Sequence, residues 1–124
     1  MIKGIHHISL KCNKEEADKV KEFYVDLLGL KLVRTWKDGM MIDTGNGLIE
    51  IFTTGGGVKT TGAVCHFALE TDNVDEMADK VRTAGYEVFK GPDDRVIPST
   101  PEFPLRMAFC YGPLGEEVEF FMER

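Results

Sequence analysis

Hydrophobic and polar positions along this 124-residue chain follow two periods that trade places in blocks. From Ile5 to Lys11 the period is two, which predicts a strand with Ile8 and Leu10 on one face and His7, Ser9 and Lys11 on the other. At Asn13 the period becomes helical. Ala17, Val20, Phe23, Tyr24, Leu27 and Leu28 form an apolar stripe. Asn13 with Glu16 three positions on has the spacing of a capping box, and Gly29 supplies the stop. Strands are predicted at Leu30–Trp36, Met40–Asp43 and Leu48–Phe52, with hairpin turns at Asp38-Gly39 and Gly45-Asn46-Gly47. The first half reads β-α-β-β-β.

The glycine-rich stretch 55–62 reads as a flexible connector. A glycine cluster cradles phosphate where a helix N-terminus follows, and here a strand follows. The pattern then repeats. Val64–Glu70 is strand-like, and Asn73 with Glu76 again has cap spacing. Val74, Met77, Val81 and Ala84 form a helical stripe that ends at Gly85. Tyr86–Phe89 begins the return strands, and a Pro- and Asp-rich loop is expected from Gly91 to Pro104. Strands are expected at Leu105–Tyr111 and Glu117–Met122, split by Gly112-Pro113-Leu114-Gly115.

Landmarks in the two halves share nearly one offset: His7 to His66 is 59 residues, Asn13 to Asn73 is 60, and Gly29 to Gly85 is 56. Such a long repeat means two copies of one supersecondary unit. The expected fold class is α+β, with two tandem βαβββ modules at about 1–55 and about 63–124 in a single domain. Each is a curved mixed or antiparallel sheet covered by its helix.

Composition narrows the functions. A hydrophobic fraction of 43% and a charged fraction of 29% suit an ordinary globular chain. A net charge of -6 repels phosphate backbones and argues against nucleic acid. No apolar run reaches the ~20 residues of a membrane span, and the N-terminus leads straight into a strand, so a cytoplasmic location is expected. Three cysteines with no CxxC pair argue against a disulfide framework and a thiolate zinc site; Cys65 and Cys110 read as buried, inert thiols.

The repeat also places chemistry. Each half has a histidine on its first strand, His7 and His66, and a glutamate on its last, Glu50 and Glu119, set among apolar neighbours. Burying an ionised carboxylate costs several kcal/mol unless a cation or hydrogen bonds compensate. Two imidazoles and two carboxylates suit a borderline divalent metal such as Zn, Ni, Co or Mn. Alternation puts His6 on the face of Ile8 and Leu10, which selects His7 as the ligand and leaves His6 as a structural histidine.

Several segments together resemble the glyoxalase/bleomycin-resistance/extradiol-dioxygenase superfamily with its vicinal oxygen chelate fold. They are Gly4-Ile5-His6-His7-Ile8-Ser9-Leu10, Phe23–Leu32, Leu48–Phe52, Cys65–Asp72 and Gly112–Phe120. The His, Glu, His, Glu order is most similar to glyoxalase I. The resemblance implies a cleft in which His7, Glu50, His66 and Glu119 bind the metal, with Glu119 the preferred catalytic base and Glu50 its counterpart. It further implies a lyase that isomerises a 2-oxoaldehyde–thiol hemithioacetal through an enediolate, as in methylglyoxal detoxification, and a homodimer with sites shared between chains.

Lys11 and Thr54 stand where glutathione-using members carry arginine and asparagine, so they are candidate substrate-binding residues and glutathione is not fixed as the thiol. Arg34, Trp36, Arg95 and Arg106 are further residues that could line a cleft. Two other functions share the fold: an epimerase of the methylmalonyl-CoA type, which usually has glutamine in place of Glu50, and a metal-free protein that sequesters a small molecule or antibiotic.

Overall fold

The structure, a computed structural model, describes residues 1, 3, 5–55, 64 and 66–124. Most of the glycine-rich connector and Cys65 lie outside the described residues. The chain divides into two compact units, Met1–Lys59 and Thr60–Arg124.

The first unit holds strands β1 (His7–Lys11), β2 (Lys31–Trp36), β3 (Gly39–Asp43) and β4 (Leu48–Phe52) in the order β1-β4-β3-β2. β1 runs parallel to β4 and the other pairs are antiparallel, so the sheet is mixed. A helical segment lies between β1 and β2 and begins at the predicted cap. The Asn13 side chain accepts from the Glu16 amide at 2.9 Å while the Glu16 carboxylate accepts from the Asn13 amide at 3.2 Å. This reciprocal box satisfies two otherwise orphaned donors.

The segment is not uniform. A 3-10 turn (Lys14–Glu16) leads into helix α1 (Ala17–Lys21), and wider π-helical turns follow over Glu22–Leu27. In a regular helix consecutive residues diverge by about 100°, yet Phe23 and Tyr24 are both fully buried, with their rings edge to face at 4.8 Å. Gly29, at φ +74°, ends the segment, and the Leu30 amide bonds back to the Tyr24 carbonyl. Val20, Phe23, Tyr24, Met40, Ile42, Ile49 and Ile51 are the core.

The second unit repeats the plan. β5 (Phe67–Glu70), β6 (Val88–Ile97), β7 (Phe103–Tyr111) and β8 (Glu117–Glu123) are ordered β5-β8-β7-β6, with β5 parallel to β8. Helix α2 (Val74–Thr83) packs on β6, β7 and β8 through Val74, Ala78 and Val81. Asn73 caps it by accepting from the Glu76 amide at 3.1 Å, but here the Asn73 amide donates to the Thr71 hydroxyl, so the box is one-sided. The α+β class and the two βαβββ sheets stand as expected.

Two local expectations are corrected. The loop expected from Gly91 to Pro104 is largely strand: β6 runs on to Ile97 and β7 starts at Phe103. Pro92 is tolerated because β6 is the sheet edge and the ladder slips register between Lys90 and Asp93. Asp-Gly at 38–39 also has a different meaning. Gly39 is the first residue of β3 and has no positive φ; the turn residues are Lys37 and Asp38. A side chain on Gly39 would collide with the Trp36 ring and the Ile51 carbonyl, so glycine is there for close approach.

Candidate functional site

In each sheet the alternation sends one set of side chains into the core and another to the opposite face. Ile49 and Ile51 of β4 are buried in the core, which leaves Leu48, Glu50 and Phe52 on the other face. β1 lies beside β4 with Ser9 opposite Glu50, so His7, Ser9 and Lys11 share that face.

His7 Nε2 stands 3.5 Å from Glu50 Oε1, and the Ser9 hydroxyl donates to the same oxygen at 2.7 Å. His7 Nδ1 meets His6 Nδ1 at 3.0 Å, one ring donating and the other accepting. His6 is therefore exposed and set against His7 with rings edge to face, not packed in the core. The correction has a simple cause: β1 begins at His7, so strand alternation does not reach back to His6.

The second unit has the same pair. Val118 and Phe120 of β8 are buried in the core, and Glu119 faces the other way among the residues of β5 and β7. His66, next to β5, places Nε2 3.1 Å from Glu119 Oε2. The match extends to burial: the glutamate side chains are 12% and 11% exposed, and the histidines 38% and 39%. In both units a nearly buried carboxylate lies beside a more exposed imidazole. Burial pushes Glu119 above the ordinary carboxylate range, against the attraction of His66 and of the Lys90 charge.

The surroundings of the pairs differ. His66 lies edge-on to Phe109 at 5.0 Å, and the Lys90 ammonium sits 5.4 Å from the centre of the same ring. Phe89 stacks on Tyr111 at 4.2 Å and extends this aromatic surface. In the first unit, Trp36 lies over Gly39 and edge-on to Phe52, on the face that carries Glu50. Lys11 is exposed, with its stem beside Gly55, and Thr54 is exposed just beyond β4.

Other candidate cleft residues have structural partners. Arg106 clasps Asp75 of α2 with two bonds of 2.7 and 2.8 Å and reaches Asp94 of β6 at 3.0 Å, locking helix to sheet. Arg95 pairs with Asp93. Arg34 is exposed on the Glu50 face, opposite Met41.

Among the described residues no group of three or more His, Cys, Asp or Glu side chains is placed to hold a metal ion; each unit offers one histidine–glutamate pair. The sequence did not single out Ser9, Lys90 or Phe109 as site residues. Ser9 shares the His7 parity, but its bond to Glu50 depends on the parallel pairing of β1 with β4. Phe109 comes opposite Glu119 through the pairing of β7 with β8, and Lys90 comes opposite Phe109 beside a register slip in β6 that no local pattern announces.

No helix among the described residues is long and apolar enough to cross a membrane. No curated protein sequence matches the chain significantly. Solved structures do. A glyoxalase family protein from Bacillus anthracis superposes with a TM-score of 0.77 at 19% identity, covering 100% of this chain and 98% of that one. A glyoxalase/bleomycin resistance protein/dioxygenase from Alicyclobacillus acidocaldarius gives a TM-score of 0.73 at 17% identity, covering 98% and 92%. An antibiotic binding protein from a Streptomyces species gives 0.71 at 20% identity, covering 99% and 98%. These likenesses carry the fold. The sequence profile of one family matches residues 4–120, nearly the whole chain, and on that match the chain belongs to the Glyoxalase/Bleomycin resistance protein/Dioxygenase superfamily.

Proposed function

We propose that this protein is a metal-dependent lyase of the glyoxalase I type, isomerising the hemithioacetal of a 2-oxoaldehyde and a thiol through an enediolate. One observation carries the reading: both units hold the same histidine–glutamate pair, with nitrogen and oxygen 3.5 and 3.1 Å apart. Donors bound to one divalent ion at about 2.0–2.2 Å and at angles of about 90–109° lie roughly 3.0–3.5 Å from each other. Each pair therefore fits one edge of a coordination shell for Zn or Ni, with Co or Mn as further candidates. His7, Glu50, His66 and Glu119 make up the donor set, and we assign its completion to a homodimer.

When bound, such an ion polarises the substrate oxygens and stabilises enediolate charge. The chain's own contribution is proton transfer. Glu119 takes the proton from the carbon beside the carbonyl and returns it to the neighbouring carbon, with Glu50 as its counterpart. Burial favours this role, because a carboxylate raised above its ordinary range is a better base. Lys11 and Thr54 are the candidates for holding the thiol.

The test is turnover of a methylglyoxal–thiol hemithioacetal by protein loaded with Ni or Zn. Intact metal binding with no turnover of any thiol adduct would sink the lyase reading. Mixing a His7→Ala chain with a His66→Ala chain tests the shared site, since sharing predicts that the mixed dimer regains one site.

A second reading, a small-molecule binding protein, draws support from the aromatic side chains beside each pair and from the antibiotic binding protein of the same fold. Elemental analysis of freshly purified protein separates the two, because stoichiometric Zn or Ni is incompatible with the metal-free binder.

A further inference from the structure

The two units repeat the histidine–glutamate pair but not what stands opposite the glutamate. Glu50 has Ser9 as its register partner on β1, and the Ser9 hydroxyl donates to Oε1 at 2.7 Å, the oxygen that faces His7. Glu119 has Ala68 as its register partner on β5. A methyl group offers no hydrogen bond. Among the described residues, His66 makes the only direct polar contact to the Glu119 side chain. The duplication is thus symmetric in its donors and asymmetric in what restrains them.

We propose that Ser9 is a positioning residue that pins Glu50 and orients its carboxylate beside His7 for a divalent ion. The proposal rests on the metal-dependent reading above and deepens it by naming the residue that holds one donor pair in place. A hydroxyl-to-carboxylate bond is among the stronger neutral-to-charged hydrogen bonds, and it restricts the rotamers of the acceptor. Neighbours that orient a ligating side chain contribute substantially to metal affinity.

The experiment measures metal binding. Ni(II) affinity is measured on metal-free protein by competition with a chromophoric chelator, for wild type, S9A and S9T. Removing the hydroxyl in S9A weakens Ni(II) binding by about tenfold, while the far-UV circular dichroism spectrum stays that of wild type. S9T, which keeps a hydroxyl, restores the affinity. Should S9A fail to fold, S9V carries the same expectation, because it removes the hydroxyl with a residue well suited to a strand.

S9A that binds Ni(II) as tightly as wild type overturns the role of Ser9, even if its melting temperature falls, because a bond that only ties β1 to β4 would do that. Wild-type protein that binds no Ni(II) overturns the metal-dependent reading and the proposal with it, whereas tight binding by both wild type and S9A overturns the proposal alone.

Discussion

Replacing Gly39 with alanine tests how the first sheet is built beneath the face that carries Glu50. A methyl group at Gly39 would overlap the Trp36 ring and lie 2.6 Å from the Ile51 carbonyl oxygen. The indole is 38% exposed and can swing outward. The Ile51 carbonyl cannot, because β4 is paired on both sides, with β1 and with β3. Overpacking of this kind costs ~1–3 kcal/mol, and stiffening the unfolded chain returns ~0.4–1 kcal/mol, so the net loss is ~1–2 kcal/mol. For a chain of this size that lowers the melting temperature by roughly 4–8 °C. The assay is thermal unfolding by far-UV circular dichroism together with tryptophan emission, which reports one ring because Trp36 is the sole tryptophan. G39A is expected to melt earlier and to emit at longer wavelength. The control is G45A: that position has φ +93° and open space around it, so alanine there costs about 1–2 kcal/mol of backbone strain without moving the indole. A red-shifted G39A with a wild-type melting temperature would refute the argument, because the strand pair would have absorbed the methyl without cost.

Three further outcomes follow from the same geometry. Burial raises Glu119 above the carboxylate range despite His66 and Lys90, so the folded state favours its protonated form; its contribution to stability is full below the unfolded value of about 4.3 and is lost as pH climbs through the raised value. Metal-free E119Q is therefore expected to match wild type near the low end of that window and to melt progressively higher than wild type toward neutral pH, and a difference that does not change with pH would contradict this. Cys110 is buried, and burial, with the Glu116 charge adding, pushes its thiol up to about 12. Iodoacetamide at pH 8 should find on the order of a thousandfold less thiolate there than at an ordinary cysteine, so mass spectrometry should show Cys110 labelled only in denaturant. Asn13→Ala removes the cap of the first helical segment and is expected to cost ~1 kcal/mol in urea unfolding, whereas a Gln at Glu16, which keeps an acceptor, should cost less.

Particular residues show why some of this was legible in the chain. His7, Glu50, His66 and Glu119 could be paired before any coordinates, because a repeat carries a residue and its strand position together. Asn13, Gly29, Asn73 and Gly85 announced helix ends through cap chemistry that acts over three or four residues, and each is found at such an end. Alternation misplaces His6 because β1 begins only at His7. Asp-Gly is a turn signal, yet the reason for Gly39 is a ring that arrives from Trp36 and a carbonyl from β4. Arg106 looked like a cleft residue until Asp75 and Asp94, 31 and 12 residues away in sequence, closed on it.

The sequence by itself determined the duplicated βαβββ plan, the helix caps and the identity of the candidate donors, since all of these follow from periodicity and short-range chemistry. Only the tertiary structure decided what surrounds each donor. Parallel pairing set Ser9 against Glu50 and Ala68 against Glu119, the pairing of β7 with β8 set Phe109 beside Glu119 and His66, and a slipped register in β6 set Lys90 against Phe109. Register is a property of two strands at once, so it cannot be read from either alone, and it is there that two copies of one pattern became two different environments.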